Sequence, residues 1–219
     1  MRTAAILPIK SFAQAKQRLR DGLSPHDRRA LVEAMFADAL VALGRVAALE
    51  RIVVVSGDRV AQRIAGGYGV SVLEDDERGH NAAAARGVQA MLEYGIERAL
   101  LVPGDCPMLA PRDIDTLLEH PAGERSVLIV PDRHGTGTNA LLLTPPDVLS
   151  PSFGPDSRRR HLAEASAAGV PAEVVELESL GLDIDTTDDL EALQRHLEST
   201  HGGAAHTRGM LNQLMRARS

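Results

Sequence analysis

Residues 126–146 read SVLIVPDRHGTGTNALLLTPP, and the run on the far side of the glycines decides which kind of α/β fold the chain has. The segment from Gly135 to Ala140 formally satisfies the dinucleotide pattern G-x-G-x-x-G/A, and it comes after an apolar run of strand type. That pattern works only when a helix opens at the loop, so that the helix N-terminus faces the pyrophosphate. Here the loop runs into a second apolar stretch, Ala140–Leu143, and then into Pro145 and Pro146. The context fails: two strand-like runs are joined by a loop that alternates glycine with hydroxyl-bearing residues. Such a loop offers backbone N–H groups to a nucleoside triphosphate or a small acid, or is only a turn.

Outward from this loop, short apolar or β-branched runs alternate with stretches of helical period, the pattern of an α/β fold with a mainly parallel sheet. AAILPI reads as the first strand. Ser24 as N-cap, Pro25 at the first helical position and Asp27 in the first turn then predict a helix to about Val46. RIVVVS and VSVLED flank a short helix from about Asp58 to Ala65, and His80 to Tyr94 forms the next helix. RALLVPGD is a strand ending in a loop, and PRDIDTLLEH is helical. Beyond the opening loop come a helix in RRRHLAEASAAG, a strand in AEVVEL and a helix from about Thr187 to Leu197. Residues 1–198 therefore read as one domain, and 199–219 as a flexible tail with a short amphipathic helix in MLNQLMRAR.

A chain of 219 residues can bury a full core without staples. Its composition, 44% hydrophobic and 25% charged, is that of a globular protein, and no apolar run approaches the roughly 20 residues that cross a bilayer. The apolar run near the N-terminus is too short for a signal peptide, so the expected compartment is cytoplasmic, with no membrane partner. One cysteine, Cys106, excludes an internal disulfide and a cysteine-rich zinc site, and it reads as a buried filler. A net charge of −6, with no Trp, two Tyr and three Phe, argues against a nucleic-acid surface. The oligomeric state is left open, a homo-oligomer included. There is no G-x-S-x-G, and the histidines are scattered, so no nucleophilic triad stands out.

Four further segments carry chemistry. In PGDCPML, Asp105 comes after a strand at its carboxyl end, where α/β sheets gather ligands; it is either an Mg²⁺ ligand or a cap on the next turn. In GLDIDTTDDL, Asp183 and Asp185 point the same way if the segment is extended, facing one metal, or else they decorate a helix N-terminus. In ILPIKSFAQAKQRL, Lys10, Lys16 and Arg18 are cations concentrated in the first loop of an acidic protein, able to neutralise a triphosphate or simply solvated. In FGPDSRRRH, Gly154 and Ser157 precede a basic helical stretch, an anion site or a capped helix.

Together ILPIKSFAQAKQRL, HNAAAARGV, VPGDCPML, DRHGTGTNALLL, FGPDSRRRH and LDIDTTDDL stand in an order that resembles the guanylyltransferases of deazaflavin (factor-420) coenzyme biosynthesis. That family acts on 2-phospho-L-lactate or phosphoenolpyruvate, and the resemblance covers about residues 3–195. It implies the Rossmann-like nucleotidyltransferase fold, with PIKSFAQAKQRL in place of the glycine-rich first loop of the wider superfamily. It further implies Asp105 and Asp183 as ligands of Mg²⁺, with Asp185 as a further carboxylate, and Lys10, Lys16, Arg18 and Asn81 on GTP. Lys16, Arg18 and Asp105 would carry catalysis. Thr138, Gly154 and Ser157 would bind the carboxylate end of a small phosphorylated acid. The acceptor's phosphate would attack the α-phosphorus of GTP and release pyrophosphate. A phosphate monoester is largely dianionic at neutral pH, so no general base is required. Rival readings are a nucleotidyltransferase for a molybdenum cofactor or sugar phosphate, a glycosyltransferase suggested by the D-x-D of Asp183–Asp185, and a non-catalytic nucleotide-binding module.

Overall fold

A computed structural model describes residues 1–76, 78–121, 123–200 and 202–218, apart from the side chains at 14, 217 and 218. The strands are β1 (Thr3–Pro8), β2 (Leu49–Val55), β3 (Ser71–Leu73), β4 (Arg98–Leu101), β5 (Ser126–Pro131), β6 (Thr138–Thr144) and β7 (Ala172–Val174). They form one sheet in the order β3-β2-β1-β4-β6-β5-β7. β6 runs antiparallel to β4 and β5, and the remaining pairings are parallel. The antiparallel strand is the one that the glycine loop feeds. The carboxyl ends of β1 and β4 and the amino end of β6 therefore meet at one edge.

The helices are α1 (Pro25–Leu43), α2 (Arg59–Gly67), α3 (His80–Glu93), α4 (Pro111–Glu119), α5 (Ser157–Ala167), α6 (Glu178–Gly181), α7 (Thr187–Ser199) and α8 (Ala205–Arg218). The Ser24 hydroxyl accepts from Asp27 N at 3.1 Å, the cap that the sequence predicts. The single turn α6 lies between the AEVVEL run and the helix at Thr187, a stretch for which the sequence predicts no helix. Period-two alternation splits the strands between two cores. Leu7, Val54, Leu100 and Leu142 pack with Phe36 of α1, Ile114 of α4, Leu193 of α7 and Leu211 of α8. Ile6, Val55, Leu101 and Leu141 pack with Val88 of α3 and Ala165 of α5. The result is a three-layer sandwich. Gly87 lets α3 lie close on this second face, since a Cβ there would stand 2.5 Å from Ile6 Cγ2.

Within residues 199–219 the expected short helix is α8, and it packs on α1. Asp38, buried in α1, accepts from the backbone N–H of His206 (3.0 Å) and Thr207 (2.8 Å) and from the Thr207 hydroxyl (2.7 Å), capping α8. Leu211 and Leu214 are buried on that contact. No helix among the described residues is long and apolar enough to cross a membrane.

Candidate active site

The first loop is folded by hydrogen bonds from elsewhere. Asp58, which caps α2 through Val60 N (2.7 Å) and Ala61 N (3.2 Å), also accepts from Phe12 N at 2.9 Å. Lys16 adopts the left-handed conformation (φ 55°, ψ 41°), costly for a residue with a Cβ by about 1–2 kcal/mol. That turn carries its ammonium inward. Lys16 Nζ is paired with Asp105 Oδ2 and, at 2.8 Å, with Asp185 Oδ1, and its side chain is only 6% exposed. Burial opposes the charge, but the two carboxylates outweigh it and raise the ammonium's pKa, so Lys16 stays cationic.

The two acidic segments of the sequence do meet. Ile184 N donates to Asp105 O at 3.3 Å, which brings residues 183–185 against the loop after β4. Burial first, and then the negative charge of Asp105, push the Asp183 carboxyl up to about 6, against the opposing bond from Asn139 and the charge of Lys16. Asn139 Nδ2 reaches Asp183 Oδ1 (3.2 Å) and Leu180 O (2.6 Å). The turn itself is fixed by Asp189, whose Oδ2 accepts from Asp185 N (3.0 Å), Thr186 N (2.7 Å) and Thr186 Oγ1 (2.7 Å), while Arg133 holds Oδ1 at 2.6 Å. Asp105 and Asp183 form an all-oxygen pair of the kind a hard divalent cation takes. Asp185, expected beside them as a third metal ligand, pairs with the same Lys16 ammonium that pairs with Asp105. Among the described residues no three His, Cys, Asp or Glu side chains stand together as a metal-holding group.

Asn139 owes its direction to a break in strand register. Val130 pairs with Ala140 but Pro131 with Thr138, leaving Asn139 as an extra residue. This bulge shifts the alternation by one. Asn139 consequently turns toward Cys106 and Leu180, and Thr138 toward α5 on the opposite face. There the Thr138 hydroxyl lies 3.1 Å from His161 Nδ1, and Ser152 N donates to His161 Nε2 at 3.1 Å. Gly154 (φ 121°) occupies backbone space that side chains avoid. Ser157, buried, opens α5. The anion site expected of that helix start is altered, because Ser157 N and Arg158 N already donate to Gly154 O (3.1 Å) and Thr136 O (3.2 Å). The Arg158 amide ties this segment to the glycine loop, while the Ser157 amide closes a turn within the segment itself.

Asn81, expected on the nucleotide, is hydrogen-bonded to the backbone of Phe153 in this structure. Its amide donates to Phe153 O (3.1 Å) and accepts from Phe153 N (2.8 Å), clamping α3 to the segment that carries Gly154. Phe153 in turn stands edge-on to His80 (5.3 Å) and His161 (5.5 Å). Two adjoining clefts of 240 and 470 Å³ share the stretch Pro8–Ser11 and His80. Lys10 lines both, Asp75 and Gly79 the first, and Lys16 with Asp105 the second. Arg18 is exposed and lines neither. A larger hollow of 970 Å³, beyond Arg133 and His134, contains none of the predicted residues. Cys106 is fully buried, its thiol pKa pushed well up by burial and by Asp105, so it is inert packing. Asn139, Asp189 and His161 are the site residues that sequence reasoning misses.

The family model described as "Guanylyl transferase CofC like" matches residues 3–215. The chain is 53% identical over 218 residues to phosphoenolpyruvate guanylyltransferase of Conexibacter woesei, covering 99% of this chain and 98% of the relative. It is 35% identical over 202 residues to 2-phospho-L-lactate guanylyltransferase of Methanothermobacter thermautotrophicus, covering 92% and 88%. A cytidylyltransferase structure from Leptospira borgpetersenii shares the fold at a TM-score of 0.62 with 17% identity, covering 100% of this chain and 95% of that one. With its Rossmann-like nucleotidyltransferase fold and a family match along nearly its whole length, the chain belongs to the CofC-like guanylyltransferase family.

Proposed function

We propose that this protein transfers GMP from GTP to the phosphate of a phosphorylated three-carbon acid, phosphoenolpyruvate or 2-phospho-L-lactate, with release of pyrophosphate. The observation that carries the reading is the meeting of Asp105 and Asp183, 78 positions apart by number, beside a buried cationic Lys16. One bond away, through Asn139, lies the strand start that carries Thr138.

The residues fit a magnesium ion. Both donors are carboxylate oxygens, and the pKa of Asp183 is raised first by burial and then by the charge of Asp105, two costs that a bound divalent cation would offset. Two protein carboxylates with phosphate oxygens completing the sphere is the usual way Mg²⁺ is held. Bound at Asp105 and Asp183, Mg²⁺ supplies charge neutralisation between two anionic reactants. The chain's own side chains do the rest. Lys10 and Lys16 bring positive charge to the clefts along Pro8–Ser11, where the nucleoside triphosphate fits. Thr138, Gly154 and Ser157 seat the carboxylate of the acceptor, so its phosphate oxygen faces the α-phosphorus in line. The acceptor phosphate is itself the nucleophile and is largely dianionic near neutrality. The absence of a His or Cys catalytic pair from the described site is consistent with such a reaction. Arg18 acts, in this reading, only by contributing to the local positive potential. Asn81 positions the acceptor loop through Phe153.

The test is incubation of the purified protein with GTP, Mg²⁺ and phosphoenolpyruvate, 2-phospho-L-lactate or 3-phosphoglycerate in turn, with mass identification of products. A diphosphate-linked guanosine adduct with one of the acids is expected, together with pyrophosphate. Failure to form an adduct with all three sinks the proposal.

A further inference from the structure

His161 is fully buried at the meeting point of three segments: the start of β6, the stretch 151–156 and α5 itself. Its two ring nitrogens are not interchangeable. A backbone amide can only donate, so the Ser152 N–H at 3.1 Å makes Nε2 an acceptor without a proton. In the neutral ring the hydrogen then sits on Nδ1, which faces Thr138 Oγ1 at 3.1 Å. The threonine oxygen therefore accepts from the ring, and its own single proton is left to point elsewhere. Burial, together with the nearby charge of Arg160, holds the His161 pKa down to about 4, so the neutral ring persists near neutral pH. Arg160 Nη2 also fixes the carbonyl of Ser152 at 2.7 Å, and Phe153 packs edge-on against the ring.

We propose that His161 is a positioning residue for the acceptor: by donating its Nδ1–H to Thr138, it occupies one lone pair of the threonine hydroxyl and biases that group toward giving its proton to the acceptor's carboxylate. The proposal rests on the reading of Thr138 as an acceptor ligand. Its chemical content is directional. An unconstrained hydroxyl rotates and pairs with either kind of group, whereas a hydroxyl already accepting from an imidazole is biased toward oxygen acceptors, anions above all. The same ring joins Ser152 to Thr138, so the two loops of the cradle are aligned before the acid arrives.

Two substitutions separate the ring's two bonds. His161→Asn sets an amide N–H near the position of Nδ1 and keeps a donor for Thr138. His161→Gln sets an amide oxygen near the position of Nε2 and keeps the acceptor for Ser152 while losing that donor. The expected result is an acceptor KM raised about tenfold or more in His161→Gln, the cost of a hydrogen bond to a charged group. The GTP KM should move less than about threefold. His161→Asn, which keeps the donor for Thr138 but gives up the acceptor for Ser152, should raise the acceptor KM by at least about threefold less than His161→Gln does. In a Thr138→Val background, His161→Gln should add nothing further to the acceptor KM. Equal acceptor KM values in the Asn and Gln variants, or full additivity with Thr138→Val, would overturn the proposal. Should either variant fail to fold, ¹⁵N NMR of histidine-labelled wild-type protein reads the tautomer directly; a proton on Nε2 overturns it equally. Failure of the parent reading looks different, because the wild-type protein then forms no adduct with any three-carbon phospho-acid.

Discussion

At the scale of single residues, the site is an arrangement of like charges that the fold maintains at a cost. Asp183 has its pKa lifted from an ordinary 3.8 to about 6, chiefly by burial and by Asp105. Between those two values the folded chain holds more protons than the unfolded one, so this group's contribution to stability falls as pH rises through the window. Above about pH 6 the penalty is complete. Asp183→Asn, which keeps an oxygen for the Asn139 amide, should therefore be more stable than wild type at pH 7, by on the order of 1–2 kcal/mol after allowance for partial solvation. The difference should vanish below about pH 4, as thermal melts across pH will read. The same substitution, and Asp105→Asn, should each lower turnover by roughly a hundredfold while the fold survives. Wild-type turnover in either variant would remove these carboxylates from the chemistry.

At the scale of elements, two loops are clamped by side chains whose partners lie far along the chain. Asn81 at the start of α3 makes two hydrogen bonds to the Phe153 backbone. Asn81→Ala should cost about 1–2 kcal/mol and raise the acceptor KM severalfold, with the GTP KM nearly unchanged. A rise confined to the GTP KM would instead restore the nucleotide contact expected from sequence. This case also marks what the sequence conveys. The α1 boundary is legible because Ser24, Pro25 and Asp27 act on their own turn, and the convergence of Asp105 with Asp183 is legible because both belong to recognisable segments. His161 is not, since its partner Thr138 is 23 positions away and a histidine in a basic helix carries no local signal. Nor is the bulge at Asn139, because a period-two reading assigns faces by counting and one unpaired residue inverts the count.

At the scale of the whole molecule, α8 returns to α1, where it buries Leu211 and Leu214 and is capped by one carboxylate. Asp38 is buried and satisfies two backbone amides and a hydroxyl of α8 across 168 and 169 positions of sequence. The composition of the last twenty or so residues gives no hint of that partner. Asp38→Ala strands those donors and should destabilise the protein by about 2–3 kcal/mol, with KM values for both substrates within twofold of wild type. Calorimetry and steady-state assay together decide it; unchanged melting would mean that α8 is not anchored through this residue. The reversed strand β6 has the broadest reach. Because it runs against its neighbours, the loops proposed to hold the acid belong to a hairpin and its following helix, while the loops after β1 and β4, proposed to face the phosphates, belong to separate strand-to-helix connections. A hairpin tip tolerates exchange of length and side chains without re-threading a parallel sheet. Transplanting residues 132–138 and 151–160 between relatives should thus be the shortest route to reprogramming which acid is chosen while leaving the donor nucleotide alone.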